Sequence, residues 1–157
     1  MKRLAFALII TCLYTNLYGS PRGIRNNNPG NIVAGDRWLG RSGTDGRFVK
    51  FKSPEYGLRA IGKVINTYQK KHNINTIKGI ITRWAPPIEN NTSLYITYVC
   101  KHTGIKPNQP LNIFDKSGKL KKERELKLII SAIIKMENGS KYTYSNSTYS
   151  KAFKMLR

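Results

Sequence analysis

The 157-residue sequence predicts a mainly α (α+β) fold, with a single helical domain and a small β-hairpin. Apolar residues recur at spacings of three and four in several segments, which is typical of helices that bury one face. Capping residues, glycines and prolines stand at the ends of these segments. A short apolar segment at residues 47–51 (RFVKF) follows a glycine-rich turn and predicts a strand. The length suits one domain.

The N-terminal segment has the order of a secretory signal peptide. Lys2 and Arg3 precede an apolar stretch over residues 4–13, and small or polar residues follow. The stretch is too short to span a bilayer comfortably. We therefore expect residues 1–19 to be a signal peptide and residues 20–157 to be the domain, exported to a periplasm or secreted. An uncleaved membrane anchor formed by residues 4–18 is the alternative.

The elements of the domain follow from local signals. Ser53, as a cap, and Pro54 predict a helix start, and an apolar stripe continues to about residue 71. Prolines, glycines and further stripes predict four more helices, over residues 76–84, 92–104, 122–136 and 147–155. The remaining stretch, residues 22–46, is rich in Gly and Asn and predicts loop. Within it, residues 36–40 are expected to pair with residues 47–51 as the hairpin.

The charge is strongly positive, with 28 Lys and Arg against 8 Asp and Glu, or a formal +20. Such a charge usually indicates a polyanionic partner. Export favours anionic envelope polymers over nucleic acid, which we do not expect as a partner. A cationic membrane- or nucleic-acid-binding protein remains an alternative. The sequence has no glycine-rich phosphate loop, and two histidines are too few for a metal site, so we expect no cofactor and no metal.

Most acidic side chains fit ordinary structural roles. Six of the eight lie at helix N-termini, at solvent-facing positions or in turns: Glu55, Glu123, Glu125, Asp36, Asp45 and Asp115. Two remain, Glu89 and Glu137. Glu89 follows two prolines and is either a loop residue, or a substrate contact or second carboxylate.

Glu137 continues the apolar stripe of a helix. It lies three residues after Ile134 and seven after Ile130, in the expected last turn. Burial and the negative potential of the helix C-terminus would both raise the pKa of its carboxyl. A carboxyl that stays protonated near neutral pH can act as a general acid. Alternatively, the helix ends before Glu137 and its side chain reaches water.

Residues 132–139 (AIIKMENG) resemble the catalytic helix of lytic transglycosylases and related lysozyme-like enzymes, which ends in a glutamate followed by Ser or Asn and often Gly. Residues 27–32 (NNPGNI), 38–40 (WLG), 48–51 and 53–57 (SPEYG) resemble bacterial glucosaminidases. In those enzymes the glutamate helix comes before the Asn-rich turn. The order here implies a circularly permuted lysozyme-like domain, with Glu137 beside the turn at residues 27–31.

Residues 22–144, including RWAPPIEN at 83–90, also resemble phage virion proteins labelled structural protein P5. The two resemblances imply different functions. The first implies cleavage of peptidoglycan glycan strands by a monomer with Glu137 as a single acid, since lytic transglycosylases use the substrate's own N-acetyl group. The second is compatible with a non-catalytic wall- or virion-associated protein on the same fold.

A sugar cleft also needs amides for hydroxyl and N-acetyl groups, and aromatic faces for the rings. The candidate substrate-binding residues besides Glu89 are Asn27, Asn28, Asn31, Trp38, Tyr95 and Tyr98. Turn formation is the alternative role of the asparagines. Trp84 is a further aromatic candidate, although core packing explains it better. Tyr95 and Tyr98 share a helix face, so one can be core and the other cleft.

Overall fold

A computed structural model describes residues 19–88 and 90–156. In this part of the chain, six helices accompany one two-stranded antiparallel sheet, which confirms the mainly α (α+β) class with a small hairpin. The elements in chain order are α1 (Arg22–Arg25), β1 (Arg41–Asp45), β2 (Phe48–Phe51), α2 (Pro54–His72), α3 (Ile77–Trp84), α4 (Thr92–Thr103), α5 (Glu123–Asn138) and α6 (Asn146–Lys154). Residues 1–18 of the expected signal peptide, and Glu89, lie outside the described residues.

The five predicted helices form close to their expected bounds. Thr76 accepts a hydrogen bond from the Gly79 amide at 3.1 Å and caps α3. Gly104 ends α4 with a φ of 72°, which a residue without a side chain adopts readily. Ser53 occupies the N-cap position of α2 as predicted, although its side chain makes no capping hydrogen bond to the helix. Pro54 is the first helical residue, also as predicted.

The predicted hairpin has the right second strand and the wrong first one. β2 pairs with residues 41–45 rather than 36–40, and Thr44 lies opposite Val49. Only Gly46 and Arg47 separate the strands, and Gly46 has the positive φ of 56° that a tight hairpin turn requires. The short helix α1 lies in the stretch expected to be loop throughout.

The core lies around α2 and α5. The apolar stripe of α2 includes Leu58, Ile61 and Ile65, all fully buried, and Ile130 and Ile133 of α5 are equally buried. Helix α6 packs on α2, α4 packs on α5, and α3 packs on α4. Each fully buried aliphatic side chain contributes about 1.5–3 kcal/mol to stability.

Helix α1 contacts α5, so the first described helix of the chain meets the penultimate one. This contact brings the Asn-rich turn that follows α1 to the C-terminal end of α5. None of the helices in residues 19–88 and 90–156 has both the length and the apolar character needed to cross a membrane.

Candidate functional site

Glu137 lies inside the last turn of α5, which continues to Asn138. The helix therefore does not end before Glu137. The stripe that leads to it is fully buried, including Ile130, Ile133 and Ile134. Glu137 as a whole is half-buried, and its carboxyl group is hydrogen-bonded to side chains of the interior.

Three neutral groups donate hydrogen bonds to this carboxyl. The Asn31 Nδ2 donates to Glu137 Oε2 at 3.1 Å. The Trp84 Nε1 and the Tyr95 hydroxyl donate to Oε1 at 3.3 Å and 3.0 Å. The donors come from the Asn-rich turn, the end of α3 and the first turn of α4. Four separate parts of the chain thus meet at one carboxyl group.

Burial dominates the protonation of Glu137. Removal from water raises its pKa from the ordinary 4.5 to about 7, although the hydrogen bonds from Asn31, Tyr95 and Trp84 act in the opposite direction. Burial and the neighbouring Glu137 hold the pKa of Tyr95 well above its usual 10, so the phenol remains a donor. A carboxyl with a pKa near 7 is about half protonated at neutral pH. It can give a proton to a substrate and take one back.

The Asn-rich turn is clamped to α5 by a second contact. Asn138 donates from its Nδ2 to the Pro29 carbonyl at 2.7 Å, within the interior. Gly30 lies so close to α2 and α3 that an added Cβ would stand 2.7 Å from Ile61 Cγ1 and 3.1 Å from Trp84 Cζ2. This packing holds both Asn31 and Trp84 against the carboxyl.

Asn27 and Asn28 lie in the same turn, but their amides bond to the backbone. Asn28 is fully buried; its Nδ2 donates to the Ile32 and Val49 carbonyls at 2.9 Å each, and its Oδ1 accepts from the Ile32 amide at 2.8 Å. The Asn27 Nδ2 donates to the Phe51 carbonyl at 3.1 Å, and its φ of 50° is in the left-handed region. Both residues build the turn, and sugar contacts by them remain a prediction.

The aromatic candidates lie in different parts of the structure. Tyr95 is fully buried and touches Glu137, whereas Tyr98 is half-buried one turn further on and stacks on His102 with ring centroids 6.1 Å apart. Trp38 is half-buried along a cleft on α2 whose lining does not include Glu137. The structure therefore brings Asn31, Tyr95 and Glu137 together and places Trp38 apart from them.

Two residues contribute to the site in ways that the sequence does not predict. Trp84 is an aromatic candidate that core packing explains better, and it is fully buried, yet its indole N–H also reaches Glu137. The available signal is that a buried indole N–H needs an acceptor. Asn138 anchors the turn, and the resemblance of residues 132–139 to the catalytic helix includes this residue without indicating that role.

The described residues contain no group of three or more His, Cys, Asp or Glu side chains that could hold a metal ion. Cys100 is a free, half-buried thiol, and burial raises its pKa. A raised pKa lowers the thiolate fraction, so Cys100 is a poor nucleophile.

The fold and the site define a small, mainly α protein with a buried, hydrogen-bonded carboxyl at the end of α5. Over 147 residues the sequence is 41% identical to Protein P5 of Pseudoalteromonas phage PM2, a match that covers 89% of this chain and 86% of that protein. The chain therefore belongs to the family of this phage protein. No family model matches the sequence.

Proposed function

We propose that the protein cleaves the glycan strand of peptidoglycan, as a glycosidase or lytic transglycosylase with Glu137 as general acid and base. The observation that carries this proposal is the Glu137 carboxyl, buried among three neutral donors with its pKa raised to about 7. A structural carboxylate would be expected to pair with a cation, and this chain has many to offer. Here burial raises the pKa of the Glu137 carboxyl to about 7, although the three neutral donors favour its charged form, so a proton is available on it near neutral pH.

Cleavage of a glycosidic bond requires a proton on the leaving oxygen. In the proposed step, the Glu137 carboxyl gives its proton to that oxygen as the C1–O bond breaks. The resulting carboxylate is stabilised by Asn31, Trp84 and Tyr95, whose hydrogen bonds all favour the charged form. The oxygen of a water in hydrolysis, or of a substrate hydroxyl in transglycosylation, then forms a new bond to C1 and gives its proton to Glu137, which returns to its starting state.

Among the described residues the site supplies one carboxyl, so in this proposal the positive charge that develops at C1 is stabilised by other means. Assistance from the substrate's N-acetyl group meets this need, as the resemblance to lytic transglycosylases implies.

The fold that we propose is a circularly permuted lysozyme-like domain. The distance of 3.1 Å between Asn31 and Glu137 supports the permutation, because it joins the two motifs that the chain places in reversed order.

The proposed setting is outside the cytoplasm. Residues 1–19 would direct export, and the protein would act as a monomer on peptidoglycan in a periplasm or after secretion. The formal charge of +20 would also attract the protein to other anionic polymers of the envelope.

A second candidate is a non-catalytic virion- or wall-associated protein on the same fold. Membership of the family of a phage protein favours it. In this case the Glu137 carboxyl holds the Asn-rich turn, α3 and α4 together through hydrogen bonds and takes part in no reaction.

Digestion of purified peptidoglycan, followed by mass spectrometry of the soluble products, separates the two candidates. The catalytic proposal predicts released muropeptides, with anhydro ends for transglycosylation and reducing ends for hydrolysis. Binding to the sacculi without released fragments would overturn the catalytic proposal and leave the structural one.

A further inference from the structure

The two oxygens of the Glu137 carboxyl differ in the number of hydrogen bonds that they accept. Oε1 accepts two, from the Trp84 Nε1 at 3.3 Å and from the Tyr95 hydroxyl at 3.0 Å. Oε2 accepts one, from the Asn31 Nδ2 at 3.1 Å. A protonated carboxyl has a carbonyl oxygen that can accept two bonds, and a hydroxyl oxygen that donates one and can accept another. The arrangement around Glu137 is therefore complete for a carboxyl protonated at Oε2.

A proton on Oε1 would conflict with the two donors that already bond to this oxygen. Trp84 is fully buried, and its indole N–H can only donate, so it needs an acceptor. The Tyr95 hydroxyl is also buried, and among the described residues its hydrogen-bond partner is Glu137 Oε1. Protonation of Oε1 would leave one of these two side chains with an unbonded donor in the interior, which is unfavourable. Protonation of Oε2 leaves all three bonds intact.

The backbone of the turn holds the Asn31 amide against Oε2. Asn31 has a φ of 50°, in the left-handed region, which asparagine adopts more readily than most residues with a side chain. Its N–H donates to the Asn28 carbonyl at 2.9 Å. Its Oδ1 lies close to α1, since a Cβ added at Gly23 would stand 3.1 Å from it. The amide is thus confined between α1 and the end of α5, with its Nδ2 towards Glu137.

We propose that the transferable proton of Glu137 lies on Oε2, and that Asn31 is a positioning residue that fixes the direction in which this proton points. The role of the proton in a reaction rests on the proposed cleavage of a glycan, although its location can be measured without a substrate. The leaving oxygen of the glycan then meets Glu137 on the side of the Asn-rich turn. The proton passes from Oε2 to that oxygen, which keeps the electron pair of the broken C1–O bond, and Glu137 becomes a carboxylate.

Infrared spectroscopy locates the proton in the protein alone. At about pH 5, below the Glu137 pKa of about 7, the parent spectrum minus that of Glu137→Gln contains the C=O stretching band of the protonated carboxyl. This band moves to higher wavenumber when the carbonyl oxygen loses a hydrogen bond. The proposal makes Oε1 the carbonyl oxygen. Tyr95→Phe should therefore raise the band, and Asn31→Gly should leave it near the parent position, each compared with its own Glu137→Gln counterpart.

Matched controls separate these effects from a general loosening of the site. Glycine at position 31 keeps the positive φ, so Asn31→Gly removes the amide without straining the turn. Asn27→Gly, at the same φ in the same turn, and Tyr98→Phe should not move the band, because neither side chain is among the donors to Glu137. A band that rises in Asn31→Gly and not in Tyr95→Phe would place the proton on Oε1. A band that Tyr95→Phe leaves in place overturns the proposal on its own, even if Asn31→Gly does not fold.

The pH profile of glycan release tests the positioning role. The bond from Asn31 favours the charged form of Glu137, so Asn31→Gly should move the loss of rate at high pH to a higher pH. It should also lower the maximal rate about tenfold, because the carboxylate loses a donor. Asn73→Gly, at an exposed position with a φ of 54°, should change neither. An unmoved pH profile in Asn31→Gly would show that Asn31 does not act through the Glu137 proton.

The two tests distinguish this inference from the function on which it rests. A parent protein that releases no fragments contradicts the proposed function, and the infrared band then decides where the proton lies. Release of fragments together with a band that Tyr95→Phe does not raise supports the proposed function and contradicts the assignment of the proton to Oε2.

Discussion

The Asn31 amide donates to the Glu137 carboxyl at 3.1 Å across 106 residues of sequence. With the bond from Asn138 to the Pro29 carbonyl, it fastens an early turn of the chain to the end of α5. The contact that closes the fold is thus part of the candidate site. Substitutions at the site should therefore change stability as well as any activity, and the two effects have to be measured separately.

The raised pKa of Glu137 predicts a pH-dependent penalty on stability. Below about pH 4.5 the carboxyl is protonated in both the folded and the unfolded chain, so it contributes nothing. Between 4.5 and 7 the unfolded chain ionises first, which favours unfolding. Above 7 the penalty is constant at about 3 kcal/mol. Glu137→Gln removes it, so the variant should gain about this much relative to the parent protein between pH 4 and pH 8.

Denaturant unfolding of both proteins across this pH range measures the gain. Glu125→Gln, on the same helix, is the matched control and should show a much smaller change. A difference between Glu137→Gln and the parent that does not vary with pH would mean that the Glu137 carboxyl ionises as freely in the folded protein as in the unfolded chain.

The hydrogen bond from Tyr95 lowers the pKa of Glu137, although less than burial raises it. Tyr95→Phe should therefore raise that pKa further, by about one to two pH units, since a hydrogen bond to a charged group contributes about 1.5–3 kcal/mol. Carbon NMR of labelled glutamate side chains measures it. Tyr98→Phe, one turn away, should leave it unchanged. A lower Glu137 pKa in Tyr95→Phe would contradict the assigned donor.

Asn138→Ala should destabilise the fold by about 1–3 kcal/mol, because the buried Pro29 carbonyl loses its donor. Denaturant unfolding measures the loss. Asn108→Ala, at an exposed loop position, should stay within about 0.5 kcal/mol of the parent protein. Equal stability of the two variants would show that the contact between Asn138 and the turn contributes nothing.

Gly30→Ala should also destabilise the fold, by about 1–3 kcal/mol, because the new methyl group would overlap Ile61 and press on Trp84. The substitution should also displace Trp84 and thereby change the pKa of Glu137. Gly43→Ala is the control, since an added Cβ there meets nothing within 4 Å. The packing account fails if thermal unfolding shows Gly30→Ala to be as stable as Gly43→Ala.

Local signals were sufficient for the helices and for the position of Glu137. Caps, prolines and apolar spacing are short-range, and they placed α2 to α6 within two residues of their observed ends. The same spacing placed Glu137 at the end of a buried stripe. The adjacency of Glu137 and Asn31 came from family resemblance alone, since no local pattern encodes a contact across 106 residues.

The hairpin and Trp84 show where local reasoning ends. Several glycines between residues 35 and 46 allow more than one turn, and the register is selected by distant contacts, such as Asn28 to the Val49 carbonyl and Val33 beside Phe48. Trp84 reaches Glu137 only because α3 and α5 end at the same place. Both features depend on tertiary packing, which the spacing of residues along one element does not contain.

The central claim is that Glu137 donates the proton that breaks a glycosidic bond. Its most direct test is the rate at which purified peptidoglycan is made soluble near pH 6 by the parent protein, by Glu137→Gln and by the control Glu125→Gln. The account predicts that Glu137→Gln loses a factor of about 10² to 10⁴ in rate while it binds sacculi as before, and that Glu125→Gln keeps the parent rate. Equal rates for all three proteins would contradict it.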